Sequence, residues 1–537
     1  MAKSVAIFGG GVAGLSAAHE LAERGFPVTV YERNAVCGGK ARSTLASNPA
    51  GVPPGDLPGE HGFRFFPSFY RHLPDTMNRI PFRGGTVADN LNSATRIWIA
   101  RAGAPRIELP AKYPQNPEDW MCSLHLMFTG IGVPDDEVAF FLSRLLVLAT
   151  SCPERRVAEY EQQKWWDFIG AGARSDAYQT LLAEGLTRSL VAMRAEVGST
   201  RTVGYILLQL LYGILAPTGF DRLLAGPTND VWLTPWLDYL TGKGVRFEFG
   251  AVVQEIQAQS HRVTGVAIAQ AGQAKTVTAD YYIAALPVEI MQPLATPALT
   301  RFVPELAGIA GIDKSWMNGI QFYLKTDVPL NHGHTSYAGS PWALTSISQN
   351  QFWTRVPLSG FAGGQVGGVL SVDVSNWDQP GILYGKPASQ CTKEEISAEV
   401  WAQLKQCLNV GQEFLRDDNL IWSFLDPDIQ LPNCGNAVNN EPLMINVAGT
   451  LKYRPDACTS ANNFFLASDY VKTYTDLACM EGANEAARRA VNGILLQSGL
   501  PASVAVWPLA EPDIFKPMID LDRICFNLGL PYGHTVS

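Results

Sequence analysis

Gly9, Gly11 and Gly14 stand in the stretch "FGGGVAGLSAAHELA" at G-x-G-x-x-G spacing. Glycines so placed let main chain approach a pyrophosphate: Gly9 permits a tight turn, Gly11 leaves room for phosphate oxygens, and Gly14 lets the next helix pack against the preceding strand. Val12 and Ala13 then fall in the first turn of that helix, whose leading amides face the phosphate charge. Glu32 closes the following apolar run, "VTVYE", with Arg33 directly after it. A carboxylate there accepts hydrogen bonds from ribose hydroxyls and repels a 2′-phosphate, which argues against NADP. "NAVCGGKARS" adds Gly39, Lys40 and Arg42. Its two cations can neutralise a pyrophosphate, although a solvated turn with surface charges accounts for these residues equally well. The chemistry indicated is dinucleotide binding, with FAD and NAD not yet separated.

The elements that position these residues follow from the pattern. Val5–Phe8 is a short apolar run suited to a buried parallel strand. The helix runs to about Arg24 and Gly25 closes it, and "VTVYE" makes the second strand. A second acid and helix start come much later, in "DYVKTYTDLACMEGANEAARRA", which begins at Asp469. Residues 86–224 read as helix-rich and apolar, with "DDEVAFFLSRLLVLATSC" and "YILLQLLYGIL" as broad apolar faces. The longest such run, Val203–Pro217, is shorter than the roughly 20 residues a spanning helix needs. It reads as a buried helix, with a lipid-facing or substrate-lining helix as the competing reading. Between 301 and 439, "MNGIQFYLK", "WALTSISQ" and "GGVLSVDVS" read as strands, and Thr392 and Glu395 have capping-box spacing ahead of a helix.

Bulk composition narrows the class. The 537 residues carry a formal net charge of −9 and are 47% apolar and 17% charged, which disfavours a phosphate-tracking nucleic-acid binder. The nine cysteines occur singly, with no metal or disulfide spacing, and fit reduced thiols in a cytoplasm-like compartment. The first strand arrives almost at once, with no signal-peptide pattern ahead of it. There is no Walker loop, nucleophile elbow, internal repeat or second G-x-G-x-x-G in a strand–helix context.

Taken together, the glycine loop, Glu32, "GGKARS" and "LASDYVKTYTDLACMEGANEA" resemble the flavin-containing amine oxidase and phytoene desaturase superfamily, and locally its plant-type phytoene and carotene desaturases. The resemblance implies FAD, and an α/β fold in which a Rossmann-like FAD-binding domain of the GR2 type is interleaved with a mixed-sheet and helical substrate domain. The implied FAD-binding pieces are 1–85, 225–300 and 440–500. Residues 86–224 are then a helical region facing substrate or membrane, 301–439 the mixed-sheet substrate domain, and 501–537 a wrapped extension. In the resemblance, Asp469 meets the ribityl–pyrophosphate part of FAD. Met480 to Ala483 start a helix near the flavin ring, where helix-start amides suit a reduced flavin's negative charge. Val253 offers its backbone to adenine. "EHGFRFFPSFYRHLP" resembles the segment that passes along the flavin face, with Gly62 and Phe63 near the ring. His61 and Arg64 become candidates for a place near the reacting carbon or flavin N1, against a purely structural hydrogen bond and ion pair.

One departure separates the branches. Amine oxidases of this superfamily often carry an aromatic residue just before "MEGA", and this chain has Cys479 there. The expected activity is therefore FAD-dependent oxidation of C–H bonds in a bulky apolar substrate, an isoprenoid or polyene. Electrons then pass to oxygen or a quinone, and a peripheral membrane contact accompanies the substrate. The alternatives are an amine or amino-acid oxidase, a redox-neutral lipid isomerase or dehydroxylase, and a non-catalytic binder of prenylated proteins.

Overall fold

Two distant ends of the chain meet in one five-stranded parallel sheet. Its order is Arg246–Phe249, Val28–Glu32, Val5–Phe8, Tyr281–Ala284 and Phe464–Leu466. The computed structural model describes residues 3–47, 56–110, 132–185, 187, 193–213, 221–431, 436–500 and 504–533. Strands Val5–Phe8 and Tyr281–Ala284 are buried along their whole length, as expected for central parallel strands covered on both faces. The first helix is Val12–Ala22, ending two residues before Arg24. The chain leaves it through Gly25 at φ +77°, a conformation that favours glycine.

The late helix, Met480–Gln497, lies against the first one. Small side chains at the contact, Ala17 and Ala18 on one helix and Ala486, Ala487 and Ala490 on the other, are fully buried and let the two backbones come close. Asn484 Nδ2 also donates to Ser16 Oγ at 2.8 Å. Tertiary packing, not sequence proximity, thus joins the two ends of the chain.

A seven-stranded sheet forms the second layer. Its order is Leu420–Leu425, Asn318–Leu324, Gly368–Val374, Leu344–Ser348, Thr335–Ala338, Arg96–Arg101 and Ala104–Pro110. Leu370, Val372 and Val374 enter the core that also holds Ile396, Val400 and Leu404 of helix Lys393–Leu408. The Thr392–Glu395 capping box opens that helix. Period-two alternation puts Val369, Ser371 and Asp373 on the opposite face.

Two features differ from the sequence reading. The stretch 86–224, expected to be helix-rich, holds near its start the two strands Arg96–Arg101 and Ala104–Pro110, which complete the mixed sheet through Thr335–Ala338. A strand pair so far from its sheet partners in sequence leaves no local trace of its pairing. The apolar run from Val203 forms a helix over Thr200–Gly213, and its last residues, 214–217, lie outside the described residues. The segment 504–533 packs on the helical layer through one buried and one part-exposed ion pair. Asp522 accepts from Arg155 Nε at 2.9 Å, and Glu511 meets Arg156.

Candidate active site

A cavity of about 610 Å³ runs between the two sheets. At one end it begins at the glycine loop. Gly9 has φ +103°, and a side chain there would collide with the Ala285 carbonyl. A Cβ on Gly14 would run into the Gly9 carbonyl, so helix and strand pack as the spacing anticipates. Gly11 precedes helix Val12–Ala22 without any side-chain cap, which leaves the leading amides to an outside acceptor. Gly9, Gly11, Val12 and Ala13 all line the cavity, whereas Gly14 lies behind it.

Glu32 ends the second strand and also lines the cavity. Its Oε2 accepts from Gly10 N at 2.6 Å and its Oε1 from Asn34 N at 2.8 Å. The carboxylate is thereby aimed by main chain, with lone pairs remaining for further donors. Beyond it come Arg33, Gly39, Lys40 and Val253.

The two cations of "GGKARS" separate. Lys40 lines the cavity, pairs with Glu289 at 2.9 Å and donates to Pro442 O at 2.5 Å. Arg42 does not line it. Its guanidinium turns to Glu441, at 3.0 Å to each carboxylate oxygen, and to Asp428 at 2.8 Å. The expectation that Arg42 neutralises a pyrophosphate is therefore corrected: it joins the N-terminal segment to Asp428 and Glu441. Arg33 Nη2 reaches the same Glu441 at 2.7 Å, so one buried carboxylate gathers two arginines.

At the late helix start, Cys479 Sγ accepts from Gly482 N at 3.4 Å. Burial pushes the Cys479 thiol up to about 12, so it is neutral beside the cavity. Asp469, Met480 and Ala483 line the same wall. Glu481, in the first turn, faces away: its oxygens accept from the amides of Arg71 and His72 at 2.7 Å and Leu73 at 2.9 Å. The one acid at that helix start is thus spent on capping a neighbouring helix.

His61, Gly62, Phe63 and Arg64 line the cavity as a single segment. His61 Nδ1 lies 2.6 Å from Asp426 Oδ2. Arg64 donates to main-chain carbonyls, Gly62 O at 2.6 Å, Ala41 O at 3.3 Å and Lys40 O. That bracing ties the "HGFR" segment to "GGKA". The segment rests on the seven-stranded sheet, where Gly319 N donates to His61 O at 2.6 Å. Much of the remaining wall is apolar, with Met193, Ile206 and Leu210 from the helical layer and Met317, Leu443 and Met444, while Asp373, Asn446 and Ser468 add polar groups. Ile206 and Leu210 give the apolar helix a lining role as well as a core role.

Four lining or supporting carboxylates escaped sequence reading: Glu289, Asp373, Asp426 and Glu441. Three of them carry no local signal, because their partners lie far off in sequence. Asp373 did carry one, as a lone acid inside the apolar strand "GGVLSVDVS". No protein nucleophile or metal-bound centre is needed by this arrangement, which instead suits a long bound cofactor that carries the chemistry. The residues present fit FAD: an uncapped helix start and open glycine at one end, an aimed acid beside them, and a second helix start further along the same cavity.

The flavin-containing amine oxidoreductase family model matches residues 12–495. Among curated relatives, the zeta-carotene desaturase of a Synechocystis species is 24% identical, covering 91% of this chain and 97% of that protein. The chloroplastic/chromoplastic zeta-carotene desaturase of Solanum lycopersicum is 24% identical, covering 90% of this chain and 80% of that one. Cyclohexylamine oxidase from Brevibacterium oxydans shares the fold at a TM-score of 0.61 and 13% identity, over 93% of this chain and 100% of that one. An oxidoreductase from Methanosarcina mazei does so at 0.58 and 13%, over 92% and 100%. With a family match that runs from the start of the first helix into the late helix, the chain belongs to the flavin-containing amine oxidoreductases and is an FAD-dependent oxidoreductase.

Proposed function

We propose that this enzyme desaturates a bulky apolar isoprenoid or polyene, as a carotenoid-desaturase-like oxidoreductase whose electrons pass on to oxygen or a quinone. The observation that carries the reading is the single cavity in which a dinucleotide-type end continues into an apolar wall of Met193, Ile206, Leu210, Met317, Leu443 and Met444. In this reading Gly9, Gly11, Val12 and Ala13 hold the FAD pyrophosphate, Glu32 and Arg33 the adenosine ribose side, and Val253 the adenine. Gly39, Lys40, Asp469, Met480 and Ala483 hold the remainder, with Gly62 and Phe63 beside the ring, and Gly14 acts by packing alone. FAD bound there supplies a two-electron acceptor for a hydride. The protein excludes water with its apolar wall, braces the "HGFR" segment through Arg64, and orients His61 through Asp426. The relatives named zeta-carotene desaturases support the substrate class, and the neutral Cys479 beside the cavity offers no aromatic cage for an amine.

A surface feature fits an apolar substrate that arrives from lipid. No helix among the described residues is long and apolar enough to cross a membrane. Leu521, Ile524 and Leu528, spaced along one face of helix Lys516–Asn527 and its end, are nonetheless exposed. That face suits peripheral contact with a bilayer.

The test is to add ζ-carotene in liposomes to the flavin-loaded protein without oxygen. Bleaching of the flavin with a red-shifted, more unsaturated product supports the proposal. Hydrogen peroxide released with amines in air, and no flavin response to the polyene, replaces it with an amine oxidase. Co-flotation with the liposomes that is lost on Ile524→Asp, at unchanged melting temperature, checks the lipid-facing surface.

A further inference from the structure

We propose that Asp373 is the proton acceptor of this cavity, taking the proton from the substrate carbon next to the one that loses hydride. The inference rests on the desaturase reading above and names a residue for it. Balance is simple. One C–H bond releases a hydride to the flavin, the adjoining C–H bond releases its proton to the Asp373 carboxylate, and that bond's electron pair becomes the second bond of the new alkene. The flavin is the two-electron oxidant, and a quinone or oxygen regenerates it.

Asp373 sits near the end of strand Gly368–Val374 and lines the cavity. It is 5% exposed, and its Oδ1 has no hydrogen-bond partner. A buried carboxylate oxygen without a donor costs stability, so a purely structural acid would be expected to have one. Two glycines bring the "HGFR" segment against it. Gly319, paired with Asp373 in the ladder, has no room for a Cβ, which would stand 2.7 Å from Gly62 Cα. A Cβ on Gly62 would in turn stand 2.7 Å from Asp373 Oδ1. The carboxyl is thus held at the backbone of the very segment that lines the reacting part of the cavity.

Of the groups around it, His61 lies against Asp426 at 2.6 Å, with neither ring nitrogen in a hydrogen bond, and the others have partners elsewhere. His334, behind Phe63, lies 2.6 Å from Asp221. Arg64 donates to carbonyls, and Glu60 accepts from Ser43 and Thr228. Burial raises Asp373 to about 7, with Arg64, His61, the Phe63 backbone amide and His334 opposing that rise. A group so poised can take and release a proton at neutral pH.

The test uses the flavin-loaded full chain with ζ-carotene in liposomes, without oxygen. The flavin reduction rate of the wild type should rise with pH about a midpoint near 7. Asp373→Asn should lower it by about 100-fold and flatten the profile, and Asp373→Glu should restore part of it. Asp373→Ser serves as a second variant, and the flavin absorption of each variant reports folding. Infrared spectra need no substrate: a protonated-carboxyl band should vanish near neutral pH in the wild type and be missing from Asp373→Asn. An unchanged rate in Asp373→Asn overturns the proposal and leaves the desaturase reading standing. So does a wild-type spectrum without that band. A wild type that ignores ζ-carotene but shows the band overturns both the substrate assignment and the proton-transfer step built on it.

Discussion

At the glycine-loop end the cavity is built from main chain; at the sheet end it is built from side chains. Around Gly9 and Gly11 the useful groups are helix-start amides, and Glu32 itself is aimed by two backbone donors. Around His61 the useful groups are Asp373 on a strand, Asp426 just past the end of another, and Arg64 in the segment that also carries His61. Backbone geometry repeats wherever the motif repeats, so the first end can be shared across a family. The second end depends on which side chains particular strands carry, and there one substrate can be told from another.

Substitutions at each end should separate the two. The largest effect is expected from Gly14→Val. Its Cβ is driven into the Gly9 carbonyl, which should cost at least about 3 kcal/mol and abolish flavin retention, read by absorbance after gel filtration.

Glu441→Ala comes next, because it strips the buried partner from Arg42 and Arg33. It should destabilise by about 3 kcal/mol in urea unfolding. Burial works against ionisation of Glu441, but Arg42, His61 and Arg33 outweigh it and hold the carboxyl below its ordinary 4.5. A lowered folded-state value means that its contribution is complete above about pH 4.5 and is lost as pH falls through the folded value. Glu441→Gln should remove that acid slope.

Gly319→Ala tests the sheet end alone. It should keep the flavin, slow its reduction by about tenfold and lower stability by about 2 kcal/mol. If flavin is lost instead, the two ends are not separable.

The smallest effect is a gain. Because Asp373 rises from 3.8 to about 7 in the fold, ionising it above neutral pH opposes folding. Asp373→Asn should therefore melt about 2 °C higher than wild type above pH 7. The advantage should vanish below about pH 3.8, where the carboxyl is protonated in both states. Scanning calorimetry across that range decides it.

How much was legible follows the same division. The glycine spacing, Glu32 and the "MEGA" helix start could be read because each is a local solution to a local problem: a turn, a close approach, a helix terminus. Lys40 and Arg42 look alike in sequence, two residues apart in one loop. The structure sends the first to the cavity and the second to Glu441 and Asp428. Nothing in "GGKARS" encodes that choice, since the carboxylates that decide it lie hundreds of residues downstream. The strands Arg96–Arg101 and Ala104–Pro110 were missed for a similar reason. Their sheet is completed by Thr335–Ala338, and only that partner fixes their role.

The sequence by itself determined a strand, glycine turn and helix of dinucleotide-binding type at its start, because turn, helix and strand propensities act over a few residues. Its resemblance to the flavin-containing superfamily pointed to a second helix start near the other end. Only the tertiary structure decided which cation faces the cavity, which apolar residues line it, and that an acid on a central strand meets the backbone of Gly62. Those outcomes depend on close packing and ion pairing between residues distant in the chain, and such contacts exist only once the two sheets have come together.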